Sequence, residues 1–266
     1  MHWRSEVEFE HLGTTTHVRR LGPDTDLQYV LVHGIGVGHH YFAPLASALV
    51  GSGPAEGTGG VHVLELPGFG ATPAPAEPLT IAQLAAVVVA YVRETGLDRP
   101  VLVGHSMGAQ VVIEAALQAP ALVGPVVSIG GVVDPGSRSP VRQGLRLLAD
   151  FLVETPSANW AVLQDYVRTG PRRFLETVPI MLGYRTEEAV VRLRSPLLVL
   201  RGDRDPVARR DWTDQLARLA PVGRFVEIPG AHVVMYTRPG AVAQEVMAHA
   251  LGRDAAGGRT PEPVDG

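Results

Sequence analysis

Short apolar runs recur along the chain, with helix-like stretches between them. Leu27–His33, Val61–Leu66, Val101–Val103, Val126–Ile129, Pro196–Leu200 and Phe225–Ile228 are each too short for a helix and are rich in Val, Leu and Ile. Most are apolar at consecutive rather than alternate positions, the pattern of strands buried on both faces of a parallel sheet. Between them, helical spacing runs from about Phe42 to Val50, from Thr80 to Glu94 and from Ser106 to Gln118. Thr80, with Gln83 three residues on, reads as a capping box. Strand–helix alternation of this kind predicts a doubly wound α/β sheet. Val7–Leu21 alternates more loosely and predicts an antiparallel hairpin at one edge.

The rhythm breaks between Asp134 and Arg194. Here Leu145, Leu147, Leu148, Phe151 and Leu152, then Trp160, Leu163, Tyr166 and Val167, then Phe174, Leu175 and Val178, follow helical spacing with no strand-like run. The chain therefore divides into a core over residues 1–133 and 195–251, interrupted by a helical cap over 134–194 at one sheet edge. The apolar residues of the cap are expected to pack mainly on one another. Trp160, Tyr166 and Met181 are candidates for lining an apolar pocket beneath it. Gly51–Gly60 reads as a flexible loop and Gly252–Gly266 as a disordered tail. There is no internal repeat.

Composition narrows the function classes. A chain of 266 residues with 45% hydrophobic and 19% charged content is an ordinary globular one. All 23 basic residues are Arg, yet net charge is only −4, so no global field favours nucleic acid or an anionic membrane. Cysteine is absent, which removes disulfides, thiolate metal sites and a Cys nucleophile. No window approaches a membrane span, and Met1–Glu10 has no apolar run of the kind a signal peptide needs. A cytoplasmic location is expected, with a small molecule as partner; nothing here fixes the oligomeric state.

The chemistry concentrates at Gly104-His-Ser-Met-Gly108. Gly-x-Ser-x-Gly alone is weak, but here a strand precedes it and a helix follows. A sharp strand-to-helix turn strains the serine backbone, and small residues on either side relieve the crowding. The side chain is left above the sheet edge, beside free N–H groups at a helix N-terminus. A serine needs a base, and the base needs an orienting carboxylate. Asp203 and Asp205 lie just past the strand ending at Leu200, and His232 follows the last strand. Asp134, shortly after Ile129, is a rival acid.

Five segments together resemble the α/β-hydrolase family of serine hydrolases over roughly residues 5–251: His33-Gly34, Leu66-Pro-Gly-Phe-Gly70, Gly104-His-Ser-Met-Gly108, Gly202-Asp-Arg-Asp205 and Pro229-Gly-Ala-His232. The resemblance implies an α/β-hydrolase fold, Ser106 as nucleophile, Asp205 rather than Asp203 as acid, and His232 as base. It also implies an oxyanion hole from the N–H groups of Ile35 and Met107, with neither metal nor organic cofactor. His105 would orient the turn. Ala231 stands where the family often has Gly, and Glu65-Leu66 where it often has Asp. Gly34-x-Gly36-x-Gly38 after a strand mimics a dinucleotide loop, but His39 stands where the third Gly belongs. His39 and His40 could reach the mouth of the site, but exposed loop histidines are the commoner case.

The implied function is hydrolysis of a carboxylic ester or related carbonyl compound with an apolar part, to which Met235-Tyr236 would contribute contacts. A serine nucleophile argues against dehalogenases and epoxide hydrolases, which use Asp there. Thioesterase, lactonase and carbon–carbon hydrolase chemistry stay open, as do acyltransferase and perhydrolase activities and a ligand-binding protein that retains the scaffold.

Overall fold

A computed structural model describes residues 3–11, 13–51 and 58–253. Eight strands form one sheet: β1 (Ser5–His11), β2 (Thr14–Leu21), β3 (Gln28–Val32), β4 (Gly60–Glu65), β5 (Val101–His105), β6 (Val126–Ile129), β7 (Leu197–Gly202) and β8 (Gly223–Ile228). Their order is β1-β2-β4-β3-β5-β6-β7-β8. β1 and β2 form the expected antiparallel hairpin, β2 pairs antiparallel with β4, and every other pair is parallel. Most of the 51–60 loop and all of the tail beyond residue 253 lie outside the described residues.

Both faces of the central strands are covered, as their continuous apolar runs require. Along β3, Val30 and Val32 face one core with Leu102, Val126 and Val199. Tyr29 and Leu31 face the other with Val61, Val103 and Leu200. The first core is closed by α2 (Ile81–Thr95), α3 (Met107–Gln118) and α8 (Arg210–Leu219). The second is closed by α1 (Ala43–Val50) and α10 (Pro239–Ala250). Helix α2 opens on the capping box read from the sequence: Gln83 N donates to Thr80 Oγ1 and Thr80 N to Gln83 Oε1. It ends on Gly96 at φ 67°, the left-handed stop that glycine adopts freely.

Between β6 and β7 the chain is helical: α4 (Pro140–Val153), α5 (Pro156–Thr169), α6 (Pro171–Gly183) and α7 (Thr186–Val190). Thr186, Ala189 and Val190 of α7 are buried, and α7 packs on α3 and α8, so it belongs with the core rather than with the three helices before it. The expectation that the insertion packs its apolar residues internally fails at α4. Leu145, Leu148 and Leu152 are 62%, 59% and 78% exposed, and Trp160 on α5 is 63% exposed. The side of α4 turned inward carries Gln143 and Asp150, both buried, with half-buried Leu147 and Glu154 at the same helical spacing. The two buried groups on that side are polar because what they meet is also polar: loop backbone at Ser137 and at His232. Among the described residues no helix is long and apolar enough to cross a membrane.

Candidate active site

β5 ends at His105, and the chain turns at once into α3. Ser106 sits on that turn at φ 54°, a left-handed conformation that L side chains adopt only when surroundings impose it. Its N–H donates to Ile129 O at 2.9 Å, tying the turn to the end of β6. The flanking glycines are steric necessities. A Cβ on Gly104 would run into the carbonyl of Gly108, and one on Gly108 into the carbonyl of Val32. Gly34 is close too, though less tightly: its Cβ would lie 3.0 Å from Ser106 Cβ. Met107 is the first residue of α3, so its N–H has no acceptor within the helix.

Asp205 follows β7, and its carboxylate is fixed on one side by the N–H groups of Val207 at 2.7 Å and Ala208 at 2.9 Å, both to Oδ1. Oδ2 is left for His232 Nδ1, at 2.8 Å. Gly130 leaves room for this pair, since a Cβ there would lie 3.0 Å from His232 Cε1. Burial pulls the His232 pKa down, but the Asp205 charge and hydrogen bond, with Asp150 and Glu154 nearby, override it and raise the value to about 9. Asp203 accepts from Gly230 N at 2.9 Å at the surface. Asp134, the rival acid, is engaged elsewhere, 2.7 Å from Arg146.

A hydrogen-bond chain links three loops around the serine. Gly34 N donates to the Tyr41 hydroxyl at 2.8 Å, and that hydroxyl lies 3.1 Å from His105 Nδ1. His105 Nε2 is 3.1 Å from the carbonyl of His232. One tautomer satisfies both contacts: Nδ1 accepts from Tyr41 and Nε2–H donates to His232. Burial, helped by the His232 charge, holds His105 well below the usual histidine pKa and keeps it neutral. His33 does similar work one loop away, with Nδ1 at 2.7 Å from Gly34 O and Nε2 accepting from Leu66 N at 2.9 Å.

The cavity above Ser106 is narrow, about 50 Å³, with Ile35, Ser106 and His232 in its walls. The insertion roofs it with Leu147, Asp150, Val162 and Tyr166. Tyr166 is thus the pocket-lining member of the three candidates; Met181 is buried in the first core instead. Met235, expected near a substrate, is fully buried in the second core. Nothing in the local sequence singles out Asp150 and Glu154. Asp150 Oδ1 accepts from His232 N at 3.0 Å and Glu154 Oε1 from Val233 N at 2.7 Å, so α4 grips the histidine loop by its backbone.

His39 and His40 are not free loop residues. His39 Nδ1 is 2.6 Å from Glu65 Oε1, and His40 Nδ1 is 2.7 Å from Asp165 Oδ1. His39, His40 and Glu65 could jointly offer three ligand atoms to a metal. Several of these atoms already hold other partners: Glu65 also takes the His39 N–H and pairs with Arg19 at 3.0 Å, while an Arg168 nitrogen lies 3.0 Å from His40 Nε2. Burial works against the Glu65 charge, but His39 and Arg19 hold its carboxyl well below the usual carboxylate range. The longer Glu fits at this position because Gly38 and Gly70 leave the space; a Cβ on either would meet its Oε1. The nucleotide-like glycine spacing is thereby explained by close packing. The Gly38 N–H that a phosphate would seek is taken by Asp165 Oδ2 at 2.9 Å.

Residues 29–245 match the model of the alpha/beta hydrolase family. The chain belongs to that family. Among solved structures it is similar to the enol-lactonase from Burkholderia xenovorans LB400, with TM-score 0.77 and 20% identity over 90% of this chain and 98% of that one. A hydrolase from Pseudomonas aeruginosa PA01 gives TM-score 0.77 and 19% identity over 94% and 99%. At these identities the likeness concerns the fold. A dihydrolipoyllysine-residue acetyltransferase component of an acetoin cleaving system, from Cupriavidus necator, is 34% identical over 113 residues. The match spans 40% of this chain and 28% of that protein.

Proposed function

We propose that this protein is a serine hydrolase that cleaves a small carboxylic ester, or a related carbonyl compound, through Ser106, His232 and Asp205. The observation that carries the reading is the Asp205 Oδ2–His232 Nδ1 contact of 2.8 Å beside a cavity that His232 shares with strained Ser106. His232 Nε2 takes the hydroxyl proton as Ser106 Oγ bonds to the substrate carbonyl carbon. Asp205 keeps the imidazole tautomer and stabilises the imidazolium. The N–H groups of Ile35 and Met107 receive the oxyanion, a contribution of about 2.7–4 kcal/mol per donor in a measured case. Collapse breaks the carbon–oxygen bond, and Nε2–H returns its proton to the leaving alcohol. Water then repeats the steps, losing a proton to His232, and releases the acid with Ser106 restored. The insertion helices serve as a cap that holds the acyl or alcohol part, and a cavity of about 50 Å³ suits a short one.

Labelling with a fluorophosphonate, read by intact mass and peptide mapping, tests this. The expected result is one adduct on Ser106 that disappears in Ser106→Ala. A folded protein that takes up no label overturns the reading. Acyl transfer is the second reading, favoured by the name of the Cupriavidus relative. If an added alcohol traps the acyl group faster than water does, transfer replaces hydrolysis.

A further inference from the structure

Asp150 is a charged group in the roof of the candidate site. It reaches the cavity from α4, is only 8% exposed, and shares the cavity walls with Ser106 and His232. No arginine lines that cavity among the described residues, and the chain has no lysine. The arginines of the insertion on either side of it are engaged elsewhere: Arg138 pairs with Glu187, and Arg142 donates to the carbonyl of Gly136. Arg146 pairs with Asp134 and Ser137, Arg168 lies against His40, and Arg173 donates to the carbonyl of Pro75. The positive group facing Asp150 is His232, whose imidazole is already shared with Asp205.

We propose that Asp150 selects substrates by charge, admitting neutral or cationic molecules to Ser106 and turning away anionic ones. This rests on the ester-hydrolase reading above and names the substrate class for the same site. The physical reason is that water screens poorly in so narrow a space, so one carboxylate weighs heavily on any charge placed beside it. A hydroxyl or an ammonium on the substrate gains an acceptor there. A carboxylate meets repulsion with no guanidinium to offset it.

Ionisation of Asp150 is itself tunable. Burial pushes its carboxyl up to about 6; Asp205 and Glu154 push the same way, while His232 and its N–H pull it down. Besides these groups, the Tyr166 hydroxyl on α5 faces it, kept protonated by burial. Discrimination against anions therefore strengthens as pH rises through about 6.

Three para-nitrophenyl esters of matched length test the proposal: the pentanoate (neutral), the hemiglutarate (anionic) and the γ-trimethylammoniobutyrate (cationic). Wild type, Asp150→Asn and Glu154→Gln are compared by kcat/KM at pH 8, with Ser106 acylation followed by intact mass. Asn keeps an oxygen to accept from His232 N, so the loop contact survives. Glu154→Gln weakens the same docking without changing a cavity-lining group. The expected result for wild type is at least about tenfold lower kcat/KM for the anionic than for the neutral ester. Asp150→Asn narrows that gap to within about threefold, and Glu154→Gln leaves it as in wild type. Equal use of anionic and neutral esters by wild type, or an unchanged ratio in Asp150→Asn, overturns the charge selection while leaving the serine chemistry standing. Failure of every ester and of the fluorophosphonate to modify Ser106 overturns both.

Discussion

The Gly38 N–H donates to Asp165 Oδ2 at 2.9 Å, so the loop that carries Ile35 is anchored to helix α5 of the insertion. Tyr166 and Thr169 reinforce the contact. A Cβ on Gly36 would come within 2.5 Å of the Tyr166 ring, and Thr169 donates to Gly36 O at 3.0 Å. The insertion thus builds one wall of the proposed oxyanion site. Asp165→Ala should lower kcat by about tenfold to a hundredfold with KM changed far less, because an oxyanion donor acts in the transition state. Steady-state kinetics on a short ester would show this. A rise in KM with kcat intact would mean that α5 shapes binding alone.

The two acids separate cleanly. Asp205→Asn should reduce kcat by roughly 10³–10⁴-fold with the fold retained, since the imidazole loses its orienting charge. Asp134→Asn breaks only the Arg146 pair and should leave kcat within about twofold. Circular dichroism and kinetics on the two variants decide it; the opposite ranking would move the acid to the end of β6.

His232 makes both activity and stability depend on pH. With its pKa raised to about 9, the base is mostly protonated at neutrality in the free enzyme, and kcat/KM should climb with a midpoint well above an ordinary histidine. The sign for stability is opposite. A raised pKa in the folded state stabilises the protein fully below the ordinary histidine value, and that stabilisation fades as pH rises through about 9. Urea unfolding at pH 6 and pH 9.5 should show wild type losing more stability than His232→Gln. Equal losses would contradict the raised value.

Apolar residues of the sheet and of the insertion should respond very differently to truncation. Leu31 is fully buried in the second core, and Leu31→Ala should cost about 2–5 kcal/mol. Leu152 is 78% exposed, and Leu152→Ala should fall within about 0.5 kcal/mol of wild type. Chemical denaturation of both variants checks the contrast.

The central strands were legible because most of their residues are apolar at consecutive positions, the pattern of a doubly covered sheet. The proposed triad of Ser106, Asp205 and His232 could be named from the sequence because each stands just past a strand, where topology gathers side chains at one sheet edge. Asp150 and Asp165 were not. An acid on an amphipathic helix ordinarily marks the solvent side, and on α4 the rule is inverted: Asp150 is buried while Leu145 and Leu148 face out. His39 and His40 were misread for a related reason, since Glu65 and Asp165 reach them from 26 and 125 residues away in sequence. Local spacing carries no trace of such partners.

The inversion on α4 has a dynamic consequence. The helix is tied to the histidine loop largely by two carboxylates accepting backbone N–H groups, and little of its apolar surface is withdrawn from water. Local opening of such a segment takes far less free energy than global unfolding. Its amides should therefore exchange with deuterium well before those of β3 or β5, and lifting α4 uncovers the cavity and removes Asp150 from it together. If α4 does open first, access to the cavity and the proposed charge selection both rest on that one helix, and a change that loosens it should alter the two together.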